Sequence, residues 1–312
     1  SIPGAEHCIT SNEAFELAVL PRRVLVVGGG YIAVEFAGIF RGLGSDVTLS
    51  YRGEQILRGF DADVRNHLAQ EMGKKGTRIM VKTTPSEVRK RDDGSLVATL
   101  ESDTGPLFIE CDTVMFATGR NPATRGIGLE GAGVKLDADG GIVVDDYGRS
   151  SVPSIYAVGD VIGFPSLAST SMEQGRMASL HAFGYEAHSF PELFPYGIYT
   201  IPEISTVGKN EEELTEQGIP YEIGKAHYRE ISRGQIIGDR TGMLKILFGP
   251  DDRKLLGVHI MGEGASELIH IGQTLMAHGG AIDYFADAVF NFPTLAECYK
   301  TAALDGLNRL SF

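Results

Sequence analysis

Apolar residues in the first third of the chain come in short unbroken runs, bounded by glycine and polar residues. Val24-Leu25-Val26-Val27 is such a run, and a strand apolar on both faces belongs in a parallel sheet with a layer above and below it. Gly28-Gly29-Gly30 follows at once, a turn that residues without Cβ make most closely. The spacing predicts a helix opening at Tyr31, with Ile32, Phe36, Ile39 and Phe40 directed at the sheet. A second strand is expected over Val47–Tyr51. Asp61 is placed to cap another helix, whose Val64, Leu68 and Met72 recur on one face. Asp93-Gly94 and Asp103-Thr104-Gly105 break the next stretch into a β-meander. Thr113–Ala117 then reads as another buried strand, ending at Thr118-Gly119-Arg120.

The pattern changes after residue 120. Residues 121–154 are loop-rich, with a hairpin around Asp137–Gly141. Ser154–Asp160 predicts a short buried strand, and a helix follows from Ser169 to about Phe183 with Met172, Met177 and Leu180 inside. The proline-bearing aromatic segment Phe190–Tyr196 marks a boundary. Beyond it, strands at Gly197–Ile201, Tyr221–Tyr228, Met243–Phe248 and Leu255–Met261 alternate with helices over Glu211–Gln217 and Ala265–His278. The second of these places Leu268, Ile271 and Leu275 on one face, and a last helix is expected over Ala302–Leu310. Such a mixture predicts an α+β domain with an antiparallel sheet. The entry segment 1–20 is extended, with a short helix from Ser11. His7 and Cys8 read as a packed linker, and His270 as a satisfied interface or core residue.

Composition narrows the class. With 312 residues and 43% hydrophobic content, the chain has room for two or three domains. A net charge of −13 argues against nucleic acid as a partner, since that needs a basic face. No apolar run approaches the roughly 20 residues of a membrane span, and the first residues lack the basic and apolar regions of a signal peptide. Cys8, Cys111 and Cys298 show no metal-type spacing. A reducing cytoplasm is the expected setting, with no metal.

The chemistry starts at the glycine turn. Gly28-x-Gly30-x-x-Ala33 between a strand and a helix is the dinucleotide fingerprint, in which backbone N–H groups and the helix N-terminus meet a pyrophosphate. A carboxylate ending the second strand would hold the 2′-OH of NAD, whereas arginine accommodates the 2′-phosphate of NADP. Tyr51 stands at the acidic position, followed by Arg52 and Arg58, whose guanidinium groups can bind phosphate bidentately. NADP is favoured and NAD is not excluded.

The segments GGGYIAVEFAG, ATGRNP at Ala117–Pro122, SIYAVGD at Ser154–Asp160, TIPEISTVG at Thr200–Gly208 and FPTLAE together resemble the flavoprotein pyridine nucleotide-disulfide oxidoreductase family, in the family's own order. The resemblance implies an α/β fold of three parts: a Rossmann-like three-layer NAD(P)-binding domain with a β-meander over 1–120, the C-terminal part of the FAD or central domain over 121–195, and an α+β dimerisation domain over 196–312. It places Gly28, Gly30 and Ala33 at the pyrophosphate and Gly119 at the nucleotide. Tyr31 resembles the ring that covers the flavin, Glu35 the acid that contacts the nicotinamide carboxamide, and Arg52 and Arg58 the 2′-phosphate binders. Asp160 corresponds to the FAD-binding aspartate. Ala168 begins the helix that points at the flavin, a sensible place for a positive helix end because reduced flavin carries negative charge. Ser166 and Ile198 fall where backbone groups touch nicotinamide.

Two departures from the pattern matter. The family's chains begin with an FAD-binding βαβ unit, and disulfide reductases add a redox CxxxxC; neither precedes the NADP domain here, so a fragment lacking that segment, inactive alone, is expected. Disulfide reductases also end in His-Pro-Thr-x-x-Glu, whose histidine protonates a thiolate. Here Phe292 takes that place and Glu297 remains. This end, with DVIGFPSLAST and FPYGIYTIPEISTVGK, is similar to the soluble pyridine nucleotide transhydrogenases, while YIAVEFAGIF and YRGEQIL are more like bacterial glutathione reductase. The leading expectation is therefore FAD-dependent hydride exchange between NADPH and NAD in a homodimer paired through the last domain. The alternatives are a glutathione-reductase-type disulfide reductase and a non-catalytic nucleotide-binding and dimerisation module.

Overall fold

The computed structural model of the protein describes residues 2–310. It contains two compact units, one joining Ser1–Gly119 to Pro195–Phe312 and the other spanning Arg120–Phe194. The first lobe of the larger unit holds α1 (Ser11–Ala14), β1 (Arg23–Val27), α2 (Tyr31–Gly42), β2 (Asp46–Tyr51), α3 (Ala62–Lys74), β3 (Arg78–Val81), β4 (Thr84–Lys90), β5 (Leu96–Glu101), β6 (Leu107–Cys111) and β7 (Thr113–Phe116). Its four-stranded sheet runs β3-β2-β1-β7, all parallel, and β4-β5-β6 form an antiparallel meander.

The unbroken apolar run of β1 has a direct cause. Val24 and Val26 pack against Ala33, Phe40 and Leu68 of the helices. Leu25 and Val27 pack against Val88, Ala98 and Leu100 of the meander. Every residue of the run is thus covered by one layer or the other, each burial contributing about 1.5–3 kcal/mol. On α2 the contact is made by Ala33, Val34, Phe36, Ala37 and Phe40. Ile39, expected on that face, is 40% exposed; the small alanines carry the close approach instead. The helix expected from Ser11 is α1, capped by Thr10, with Glu13 returning a bond to its N–H. Asp61 caps α3 by accepting the Asp63 N–H at 3.1 Å.

The smaller unit is built from single β-bridges, Leu136↔Ile142, Val144↔Ser150 and Arg149↔Tyr156, and from α4 (Ala168–Ala182). The strand expected over Ser154–Asp160 is reduced to the Tyr156 bridge. Gly159, at φ +75°, turns the chain into a short 3-10 helix, Gly159–Ile162. Within α4, Met172 is exposed and Leu180 half-buried, contrary to expectation; Met177, Ala178 and Gln174 form the buried side. Gln174 is polar because its side-chain oxygen accepts the Gly159 N–H at 2.8 Å.

The second lobe of the larger unit contains β8 (Tyr196–Ile198), β9 (Ile204–Gly208), α5 (Glu211–Glu216), β10 (Glu222–His227), α6 (Ser232–Ile237), β11 (Met243–Phe248), β12 (Leu255–Met261), α7 (Ala265–Ala277), α8 (Asp283–Asp287) and α9 (Glu297–Leu310). Its sheet runs β10-β11-β12-β9-β8 and is antiparallel throughout. β9 and α6 carry no strong sequence signal and were not anticipated. The strand expected to reach Ile201 ends at Ile198 because the Tyr199 N–H leaves the ladder for Glu35. On α7 the buried seam is Ala265, Ile269 and Gly272. The expected stripe Leu268, Ile271 and Leu275 is only half-buried, since Gly272 brings the other side of the helix down on Val258, where a Cβ would sit 2.8 Å away. The last helix opens at Glu297, earlier than expected, and buries Cys298, Tyr299, Ala302, Ala303 and Gly306. His259 is a core residue: Thr206 and the Lys209 carbonyl, 3.0 Å away, take its two ring nitrogens. His270 is exposed and bonds Gln273.

The lobes are joined by apolar contact and by charge. Ile198, Ile204, Met243 and Met261 enter the core of the first lobe. Beside them Lys245, with no exposed surface, sends Nζ to both oxygens of Asp61 at 2.9 and 2.8 Å, to Asp63 at 2.6 Å and to Glu211. A buried ammonium survives only when so compensated. Burial pushes the Asp63 carboxyl up, but Lys225 and Lys245 outweigh it and hold it below the usual range. That contribution is present above about pH 3.9, the ordinary aspartate value, and is lost as pH falls through the lower folded-state value.

Lys245→Met should therefore destabilise the protein by about 3–5 kcal/mol at neutral pH, because it strands the buried Asp61 carboxylate and takes a partner from Glu211, while Asp63 keeps Lys225 at 2.7 Å. Urea unfolding at pH 7 and in steps down to about pH 2, through the lowered folded-state value, measures this. The loss should be smaller at the lower pH, and an unchanged midpoint at pH 7 would refute it.

Candidate nucleotide-binding cleft

The sheet's carboxyl end opens into a cleft of about 700 Å³ lined by Gly28–Ile32, Ser50–Arg52, Thr83–Pro85 and Phe116–Gly119, together with Val27, Ile2 and Ala5. Parallel strands end their ladders here, and β1 leads straight into the helix, so the chain must turn within three residues. The three glycines are required for different reasons. At Gly28, φ is +143° and a Cβ would lie 2.3 Å from the Ala117 carbonyl oxygen. At Gly29, a Cβ would lie 2.4 Å from the Tyr51 ring. At Gly30 nothing stands within 4 Å of where a Cβ would be. Its φ of −82° suits any residue, so no protein group demands glycine there. A side chain would instead fill the cradle above the α2 N-terminus, whose first N–H groups have no side-chain cap. That geometry fits the phosphates of a dinucleotide, and Ala33, fully buried beneath the turn, lets helix and strand approach.

Around this cradle the predicted residues divide. Tyr31 and Arg52 line the cleft with Gly28, Gly30 and Gly119, which sits at φ +134°. Arg58 is exposed and is not among the lining residues, but its loop is tied to the turn by the Leu57 N–H bonding the Gly29 carbonyl at 2.6 Å. Tyr51 packs its ring between Gly29 and Gly53, so no carboxylate ends β2. Tyr31 meets Tyr196 edge-on with centroids 6.4 Å apart.

Glu35 lies one turn along α2 and reaches the other lobe, accepting the Tyr199 N–H at 2.6 Å. Its burial pushes the carboxyl above the usual range, and the Tyr199 bond offsets this in part. Ile198, next to Tyr199, has its side chain in the core, leaving only backbone to face outward. These partners lie 164 residues apart in sequence, and no linear signal connects them. Ser50 and Thr83, joined hydroxyl to hydroxyl at 2.8 Å, also line the cleft without having been anticipated.

Phe292 is 72% exposed. Glu297 is the first residue of α9 and accepts the Thr294 N–H at 3.3 Å. In the smaller unit, Asp160 is exposed on the 3-10 helix, Ser166 bonds the Gly163 carbonyl at 3.2 Å, and Ala168 opens α4 with no side-chain cap on its N-terminus. An exposed carboxylate and uncapped N–H groups are a donor and acceptor set suited to a polar cofactor.

A parallel α/β lobe with this turn, joined to an antiparallel α+β lobe, defines a nucleotide-dependent oxidoreductase class. The comparisons are specific: residues 1–175 match the pyridine nucleotide-disulphide oxidoreductase family, and residues 194–303 match its dimerisation domain. The chain belongs to that family. It is 46% identical over 307 residues to a soluble pyridine nucleotide transhydrogenase of Mycobacterium bovis, covering 98% of this chain and 64% of the relative. It is 41% identical over 303 residues to one from Marinobacter nauticus, covering 96% and 65%. Among solved structures it resembles the HOCl-induced flavoprotein disulfide reductase RclA from Escherichia coli, with a TM-score of 0.89 and 26% identity over 97% of this chain and 70% of that one. The chain thus spans about two thirds of the length of these relatives. Among the described residues, no helix is long and apolar enough to cross a membrane.

Gly28→Ala should cost about 2–4 kcal/mol of stability through strain and the Ala117 clash. Gly30→Ala should cost about 1 kcal/mol or less yet weaken NADPH binding. Thermal melts with and without NADPH separate the two, and equal stability losses would contradict the assignment of Gly30 to the ligand. Glu35 carries a second expectation. A carboxyl raised on folding contributes stability that is complete below about pH 4.3 and lost as pH rises through the folded-state value. Glu35→Gln keeps an acceptor for Tyr199 and should remove that component from urea midpoints measured from about pH 4 to about pH 7; an unaltered pH slope would overturn it.

Proposed function

We propose that this chain is the NAD(P)-binding and pairing portion of a FAD-dependent soluble pyridine nucleotide transhydrogenase, which exchanges hydride between NADPH and NAD. The observation that carries this over disulfide reduction is Phe292. Phenylalanine holds no proton, and Glu297 is occupied with the Thr294 backbone, so the end of the chain offers a thiolate no acid. General-acid help of that kind is worth about 10²–10⁴-fold in rate. The names of the relatives support the same reading.

In this reading Gly28, Gly30 and Ala33 admit the pyrophosphate to the α2 N-terminus, with Gly119 on the opposite wall. Arg52 and Arg58 take the 2′-phosphate of NADP and remain hydrated when NAD occupies the site. Neither is paired with a carboxylate among the described residues, which leaves both available. Tyr31 covers the reacting face until nicotinamide enters. Glu35, fixed by the Tyr199 N–H, orients the carboxamide, and a backbone group at Ile198 completes its contacts. Asp160 and the α4 N-terminus at Ala168 hold FAD, which when bound supplies the two-electron carrier between the nicotinamides. The protein pairs through its C-terminal lobe, as the apolar exposed residues Tyr284, Val289 and Phe292 favour.

Steady-state transfer from NADPH to an NAD analogue by the full-length protein tests the proposal. Ping-pong kinetics are expected, and Phe292→His should leave the transfer within about threefold of wild type, since no acid–base step at this position is involved. Reduction of oxidised glutathione with no transfer to NAD analogues would sink it.

A further inference from the structure

The loop that carries Arg52 and Arg58 is held from both lobes, and the end next to Arg58 is held from the second. Residues 52–60 form no strand or helix. Within the first lobe the Leu57 N–H bonds the Gly29 carbonyl at 2.6 Å, the Lys82 N–H bonds the Gly53 carbonyl at 3.0 Å and Gln55 bonds Asn66 at 2.7 Å, which leaves the Gly59 end to the following contacts. Asn210, at the start of α5 in the second lobe, donates its side-chain N–H to the Gly59 carbonyl at 3.0 Å. Arg65 on α3 donates to the Ile56 and Gln55 carbonyls at 2.8 and 3.2 Å, with Glu212 of α5 facing it at 3.9 Å. Phe60, the last residue of the loop, packs edge-on against Tyr196 of β8 with centroids 5.4 Å apart. Immediately after it, Asp61 is locked to the buried Lys245.

We propose that the second lobe sets the nucleotide selectivity of the cleft, with Asn210 as its principal positioning residue. The inference rests on the reading that Arg52 and Arg58 bind the 2′-phosphate. The physical reason is entropic. An arginine on an unrestrained loop must order its backbone as it binds, whereas a loop already fixed gives up less freedom on binding. The gain falls only on a ligand that the loop touches. NADPH reaches it through the 2′-phosphate and NADH does not, so the clamp raises affinity for one nucleotide and leaves the other unchanged. Asn210 suits this role because its two ends have separate duties. Its side-chain oxygen caps α5 by accepting the Glu213 N–H at 2.8 Å, while its nitrogen alone holds the loop.

Asn210→Asp separates those duties, keeping the cap and removing the donor. In the full-length protein, fluorescence titration should show the Kd for NADPH rising roughly three- to tenfold, the range for residues acting through a neighbour, with that for NADH unchanged. Arg65→Lys, which keeps the charge but loses the planar fork on two carbonyls, should shift the same ratio in the same direction. Arg58→Ala and Arg52→Ala are measured alongside. If the arginine variants lower NADPH selectivity and Asn210→Asp does not, the positioning role is wrong and the phosphate reading stands. If Asn210→Asp weakens both nucleotides equally, its effect is structural and the proposal is overturned. If the arginine variants leave the ratio unchanged, the phosphate reading itself fails and the proposal falls with it.

Discussion

A single ammonium group in the interior determines how the two lobes of the larger unit must meet. Lys245 enters from β11, an inner strand of the second lobe's sheet, and ends among Asp61, Asp63 and Glu211, the first two at the start of α3 in the other lobe. A charge removed from water is tolerable only where its partners stay in place, so any relative displacement of the lobes leaves ions uncompensated. Apolar contact through Ile198, Met243 and Met261 supplies area, but area is permissive about orientation. The ion cluster is not. Everything that depends on both lobes, including the bond from Tyr199 to Glu35, inherits that fixed arrangement.

The glycine turn shows how one motif combines two kinds of demand. Gly28 and Gly29 are constrained by protein atoms, the Ala117 carbonyl and the Tyr51 ring. Gly30 is constrained by no protein atom, and the space it leaves sits at the positive end of α2. Packing explains the first two, while the third leaves an open space that fits a ligand. The Tyr51 ring has a similar double effect: it forces two flanking glycines and occupies the position from which a carboxylate would bind a ribose hydroxyl.

Much of this was readable without coordinates. The doubly apolar β1, the turn, the Asp61 cap and the meander follow from local rules of side-chain volume, backbone freedom and hydrogen-bond donation, which act over a few residues. Errors arose where a residue's partner was remote. Ser154–Asp160 has the composition of a strand, but Gly159 bends it out of line. Ile39 and Met172 fit the apolar period yet face outward, because small residues or a buried Gln174 make the closer contact. The seam of α7 was assigned to its largest side chains, while Gly272 chose the side that packs.

By itself, the sequence determined the layered α/β lobe, the nucleotide fingerprint, the arginines beyond β2 and the phenylalanine at position 292, since each depends on residue type and short spacing. The tertiary structure decided what those residues work against. Pairings such as Glu35 with Tyr199, Asn210 with Gly59 and Lys245 with Asp61 join chain segments more than 150 residues apart. Hydrogen bonds and ion pairs act over about 3 Å, and only the folded backbone brings such distant groups within that range.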